Sequence, residues 1–174
     1  ICQGQSVTFT GAPSGFANYQ CLNGGISLQS GAGTTFTTTA LMPGNSITIK
    51  ATNNACAGPA TAPIVTTVNL LPIDSISSSD PDNTICAGDT VLFTATPAGF
   101  ANYNFMVNSV SGLSSASNIF STSSLSMGDT IKVIATSAAG CVGSASNIAT
   151  FTVNPIPVIT TFTASDDSIC AGDS

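Results

Sequence analysis

Six cysteines, eight aspartates and two tyrosines are the side chains of this 174-residue chain best equipped for chemistry. Acid–base catalysis finds little here. The sequence has no His, Glu or Arg, and its carboxylates stand in turn-like contexts instead of converging, so the chain is not expected to be an enzyme. A zinc site lacks both histidine and a CxxC pair. Thiols remain. Five of the six cysteines sit at recurring positions, which points to disulfides and an oxidising compartment, although small buried thiols are the plainer reading. In "SSSDPDNT" (Ser77–Thr84), Asp80 and Asp82, with Asp89 nearby, place oxygens at alternate positions that suit calcium. "ASDDS" (Ala164–Ser168) is a looser copy, and the alternative is solvated turn residues. Gln5 replaces Asp89 at the earlier equivalent position, and no complete calcium loop is present, so no cofactor is expected beyond this weak calcium candidate. Tyr19 and Tyr103, each in "GFANY", can stack on sugars or pack at the edge of the fold.

The elements that must hold these residues repeat. "ICQGQS" (Ile1–Ser6), "ICAGDT" (Ile85–Thr90) and "ICAGDS" (Ile169–Ser174) begin 84 residues apart. "SVTFTGAPSGFANY" (Ser6–Tyr19) overlies "TVLFTATPAGFANY" (Thr90–Tyr103), and "GNSITIKAT" (Gly44–Thr52) overlies "GDTIKVIAT" (Gly128–Thr136) at the same offset. Cys56 matches Cys141, and Val68-Asn69 matches Val153-Asn154, at an offset of 85. A period this long signals a tandem array of small domains. The expected units are 1–69, lacking its first strand; 70–154, complete; and 155–174, the opening of a third. The chain reads as a window cut from a longer array.

Alternation identifies the strands. Val91, Phe93 and Ala95 share one face of a period-2 run, as do Ile131, Val133 and Ala135, Phe151 and Val153, and Val158, Thr160 and Phe162. No helical period is sustained. The fold class is therefore all-β, as tandem immunoglobulin-like β-sandwiches in a linear array. In the complete unit, strands are expected at Leu71–Ser77, Val91–Thr96, Asn102–Asn108, around Asn118–Ser123, Thr130–Ser137 and Ser146–Asn154, and the third unit's first strand at Ile156–Ala164. "NLLP" (Asn69–Pro72) and "NPIP" (Asn154–Pro157) should make semi-rigid junctions. Each unit would then advance a thin rod by roughly 35–45 Å. Charged residues are only 6% of the chain, against 24 Ser and 24 Thr, so hydroxyls must wet the surface. A net charge of −6 without arginine argues against nucleic acid, and no stretch approaches the ~18 apolar residues of a membrane span.

Topology constrains the cysteines. Cys86 precedes the Val91–Thr96 strand and Cys141 follows the Thr130–Ser137 strand, at opposite ends of one sandwich. A strand length, ~20 Å, exceeds the ~7 Å limit between bonded Cα atoms. Across a junction these turns face each other. This predicts a Cys2–Cys141 bridge between units, with Cys86, Cys56 and Cys170 paired to neighbouring repeats. The alternative pairs Cys2 with Cys56 and Cys86 with Cys141 inside each unit. Cys21 replaces Phe105 at an inward position and reads as a buried free thiol, with Cys56 as a lesser partner.

The cysteine-glycine phrase, the "GD"-led strand at Gly128, the "GC" at Gly140-Cys141 and the "NPxP" hinge resemble bacterial immunoglobulin-like repeats of giant surface proteins of the Bacteroidota, including SprB-type gliding adhesins. The resemblance implies type IX secretion, display as extracellular cell-surface filaments, and contact with surface polysaccharide or substratum through a tip outside this chain. It also implies O-glycosylation at Asp-Ser/Thr-apolar motifs, here Ser75, Thr90, Thr130 and Ser168. Turn chemistry before a strand accounts for the same pairs. Two functional classes follow: a structural stalk supporting attachment and gliding, or a carbohydrate-binding or accessory module of a secreted multidomain enzyme. Dozens of copies in the full-length protein would favour the first, and two copies beside a catalytic domain the second.

Overall fold

The computed structural model describes residues 1–163 and Ala171. The first unit contains β1 (Val7–Thr10), β2 (Asn18–Asn23), β3 (Ile26–Gly31), β4 (Thr35–Thr38), β5 (Ser46–Asn53), β6 (Cys56–Ala57) and β7 (Ile64–Val65). The second contains β8 (Ser75–Ser78), β9 (Thr84–Cys86), β10 (Val91–Thr96), β11 (Asn102–Val107), β12 (Val110–Ser115), β13 (Ile119–Thr122), β14 (Thr130–Thr136), β15 (Ala149–Thr150) and β16 (Thr152–Asn154). Among the described residues there is no helix, and no ladder pairs a strand of one unit with a strand of the other. The chain is all-β.

In the second unit, a sheet ordered β13-β10-β8 faces a sheet ordered β12-β11-β14-β15. The alternation read from sequence is the alternation of burial. Val91, Phe93 and Ala95 of β10 and Ile131, Val133 and Ala135 of β14 are each at most 1% exposed, while their neighbours along the strand point outward. Phe93 lies 6.1 Å from Phe120 and 5.4 Å from Phe151, so one aromatic group ties three strands and their connections. β9 runs parallel to β16, pairing Cys86 with Asn154. This is a two-sheet β-sandwich.

Four expectations are corrected. Cys86 lies on β9 and not in a turn, because Thr84–Cys86 finds a parallel partner far along the chain. The last strand is split: Ala149–Thr150 pairs with β14, then Thr152–Asn154 changes partner to β9. β12 was not anticipated, since it is a mostly exposed hairpin edge, with Leu113 half-buried against the core. Ile156–Thr163, the described part of the expected third-unit strand, forms no ladder and is exposed throughout. A strand exists only through its partner's hydrogen bonds, and among the described residues no strand pairs with this segment.

The first unit repeats this frame with one omission. β1 pairs with β4 through Phe9↔Phe36, as β10 pairs with β13 through Phe93↔Phe120. Among the described residues nothing takes the place of β8, so the β1-β4 sheet has two strands there. The consequence is a thinner core of Cys21, Leu41, Ile47 and Val68, against which Val7, Phe9 and Phe36 pack only half-buried. A groove of about 420 Å³ opens where β8 would lie, lined by Gly11, Phe16, Ile49, Ala51, Cys56 and Gly58 among others.

Candidate functional site

The junction between the units is where two of the chain's six cysteines meet. Asn69 closes the first unit: its amide donates to the Ile1 carbonyl at 2.8 Å, and its carbonyl accepts from the Gln3 amide at 2.9 Å. These bonds hold Cys2 alongside Asn69 in a parallel bridge. Leu70 and Leu71 then lead to Pro72, which is buried against Gly143 of the second unit. A Cβ at Gly143 would stand 2.4 Å from the Pro72 carbonyl oxygen, so only glycine permits this approach.

Cys141 is presented by a tight turn after β14. The Cys141 amide donates to Ser137 Oγ at 3.2 Å, the Ser137 amide donates to the Cys141 carbonyl at 2.9 Å, and Gly140 supplies a φ of +77°. Cys141 is fully buried, and its sulfur is bonded to that of Cys2. The Cα atoms lie 5.5 Å apart across a sequence separation of 139 residues. Of the two pairings open to the sequence, the cross-unit one is formed. Cys21 is buried and free, its thiol pushed up by burial. Cys56 and Cys86 are exposed and free at the sites equivalent to Cys141 and Cys2. Cys170 lies outside the described residues. A disulfide is chemistry of an oxidising compartment outside the cytosol. Among the described residues no helix is long and apolar enough to cross a membrane.

The aspartates have mostly local duties. Asp89 accepts the Cys86 amide at 2.9 Å and donates its own amide to the Cys86 carbonyl, closing a turn with Gly88 at φ +89°. Gln5 does the same for Cys2 at 2.7 Å. Asp129 staples the Ser126 amide at 2.8 Å, and Asn45 the Met42 amide. An amide acceptor of the right length suffices, which is why Gln and Asn replace Asp in the first unit. Asp80 and Asp82 converge on the Thr84 amide, at 3.1 and 3.0 Å, while Asp89 is occupied with its own turn. The three calcium candidates are therefore not brought into one cluster, and no group of three potential ligands occurs among the described residues. Of the glycosylation candidates, Ser75 and Thr90 are exposed. Thr130 is half-buried with its hydroxyl 3.3 Å from Asn108 Oδ1, and Ser168 lies outside the described residues.

The tyrosines are corrected from the sandwich edge to its interior. Tyr103 is fully buried and Tyr19 is 4% exposed. Each hydroxyl donates to a proline carbonyl, Pro97 at 2.7 Å and Pro13 at 2.6 Å, and accepts the amide of Phe100 or Phe16. Neither ring offers a face to a sugar.

Asp74 figures in the sequence reading only as the first residue of the Asp-Ser-Ile motif; its burial was not anticipated, although a carboxylate within the apolar run "LLPIDSI" was a visible signal. Both of its carboxyl oxygens are buried without a hydrogen-bond partner. Burial pushes its pKa up, and the nearby backbone amides of Asp74 and Ala135, which miss hydrogen-bonding geometry, offset this only in part. A pKa raised by folding means that the native state holds its proton more tightly than the unfolded state. Stability is then greatest below the unfolded value and falls as pH rises towards the folded one. Asp74→Asn should stabilise the second unit by about 1 kcal/mol at pH 7. The gain should vanish below about pH 4, where both states are protonated. Urea denaturation of both proteins across this range measures it, and a pH-independent difference would contradict the assignment.

No family model matches the sequence, and no curated protein matches it. Among solved structures, the chain is similar to fibronectin(III)-like modules of Clostridium thermocellum CbhA, at 13% identity and a TM-score of 0.44, over 94% of this chain and 93% of that one. It is similar to murine CEACAM1b at 12% identity and a TM-score of 0.43, over 88% of this chain and 95% of that one. It is also similar to a chain from the mouse coronavirus receptor-binding domain complexed with its murine receptor, at 11% identity, a TM-score of 0.45 and the same two coverages. The likeness is one of fold.

Proposed function

We propose that this chain is a structural segment of a long extracellular filament or adhesin stalk, built to keep successive sandwiches in line under load. The observation that carries the reading is the Cys2–Cys141 bond across the junction, together with unpaired Cys56 and Cys86 at the equivalent positions. A bond inside one sandwich would stabilise that sandwich. A bond between sandwiches fixes their relative position, and its recurrence at each junction, through Cys86, Cys56 and Cys170 to neighbouring repeats, would fix a whole array. The chemistry described for the carboxylates and tyrosines is structural, which favours the stalk over a sugar-binding accessory module.

The resemblance to Bacteroidota repeats supports type IX export and a setting in surface attachment and gliding, with polysaccharide or substratum met by a tip elsewhere. Glycans on Ser75, Thr90, Thr130 and Ser168 would solubilise a surface poor in charge. Electron microscopy of the native protein, joined to non-reducing peptide mapping, tests the reading. A thin rod of evenly spaced beads with bridges between successive repeats is expected. Two isolated copies beside a catalytic domain would refute it.

A further inference from the structure

The linker between the two sandwiches is held by very little. Asn69 is the last residue bonded to the first unit, and Ser75, paired with Thr96, is the first one laddered to the second. Among the described residues, 70–74 make no main-chain hydrogen bond. Leu70, Leu71 and Ile73 are exposed. Two side chains alone seat the segment. Pro72 is buried against Gly143, and Asp74 has both of its carboxyl oxygens buried.

These two seats differ in kind. Pro72 is apolar and gains from burial at any pH. The Asp74 oxygens have no hydrogen-bond partner, so the same seat suits a neutral carboxyl far better than a carboxylate. No neighbouring charge offsets this. Of the elements packed against Asp74, β10, β15 and residues 143–147 carry no titratable group. Lys132 of β14 stands on that strand's outward face and donates to Ser109 Oγ at 3.2 Å. Asp80, beyond the far end of β8, accepts the Thr84 amide, and Cys141 is held in its disulfide. β8 itself is secured independently of Asp74. It keeps its ladder to β10, and Asn147 bonds both the amide and the carbonyl of Ile76.

We propose that residues 70–74 form a pH-dependent catch on the junction, seated while Asp74 is protonated and lifted off Gly143 when Asp74 ionises. The step moves one proton, from the Asp74 carboxyl to water, and breaks no covalent bond. Its direction follows from burial, which holds the Asp74 pKa above its ordinary value. Seating is therefore fully favoured below the unfolded value of about 4, and is lost as pH rises through the folded one. Lifting leaves β8 in place, so the change falls on the freedom of one sandwich relative to the other. Two covalent strands still cross the junction, the main chain and the Cys2–Cys141 bond. The units stay tethered and gain a limited hinge. This inference rests on the linker's own contacts and does not depend on the load-bearing reading.

Heteronuclear NMR of the oxidised chain at about pH 3.5 and about pH 7.5, either side of the carboxyl range, is the test. At the lower pH, Leu70, Leu71 and Ile73 should show backbone order parameters of about 0.85, with a Pro72–Gly143 cross-peak. At the higher pH the order parameters should fall below about 0.6 and the cross-peak should fade. The midpoint of the change should coincide with the titration of the Asp74 carboxyl carbon. Asp74→Asn, uncharged at both pH values, should keep the linker ordered at both. Asp82→Asn, in an exposed turn, should leave the wild-type response intact, which separates Asp74 from a general effect of acid. A linker with the same order at both pH values would overturn the proposal. So would a response that survives Asp74→Asn or disappears in Asp82→Asn, or an Asp74→Asn linker that is loose throughout.

Discussion

Phe93→Ala should cost the second unit about 3–5 kcal/mol, the usual penalty for emptying a buried aromatic site. Phe93 is fully buried and is ringed by Phe120 and Phe151. The equivalent Phe9→Ala should cost the first unit less than about 2 kcal/mol, because a half-exposed ring gives up proportionally less area. Phe9 meets a single ring, Phe36 at 6.2 Å, and lines a small pocket of about 50 Å³ with Cys21, Phe36 and Ile47. Scanning calorimetry on the two variants separates the effects, and equal losses would show that the first unit's core is closed after all. The comparison also isolates the contribution of a first strand. The two units share Phe-Phe registers, turn staples and buried tyrosines, and differ mainly in whether β8 has a counterpart.

The second large effect is expected from the disulfide. Closing a loop of 139 residues is worth about 5 kcal/mol in the chain-entropy model, relative to the reduced unfolded chain. Replacing Cys2 and Cys141 together by serine should therefore lower stability by several kcal/mol, with the first unit melting well before the second. Its core cluster holds four buried residues where the other holds thirteen, so it depends more on the covalent tie. Reduction of the native chain should reproduce the shift without placing a hydroxyl at the fully buried Cys141 position. Coincident melting of the two units, unchanged by reduction, would contradict the role given to the bond.

Much of this was written in local pattern. Val91–Thr96 and Thr130–Thr136 alternate so regularly that strand, face and core membership could be read together, and the 84-residue offset carried them to Val7–Thr10 and Ser46–Asn53. What escaped was non-local. β9 is three residues long, too short for a period, and exists because β16 lies beside it. β12, "VSGLSS", shows no apolar alternation because most of it is exposed and only Leu113 of its side chains packs against the core. The tyrosines looked amphipathic in sequence, but the carbonyls that satisfy them belong to the turns at Pro13 and Pro97, whose position only the fold sets. Cys2 and Cys141 could be named as partners because opposite ends of a sandwich cannot bond. The rival intra-unit pairing was excluded by geometry and not by any sequence signal.

The load-bearing account is tested most directly by pulling single molecules from handles at the two ends. In the oxidised chain tension passes from Cys2 through the sulfurs to Cys141, so the 139-residue loop stays slack whether or not its sandwiches unfold. The account predicts that reduction adds on the order of 480 Å of contour length. The same total extension before and after reduction would contradict it.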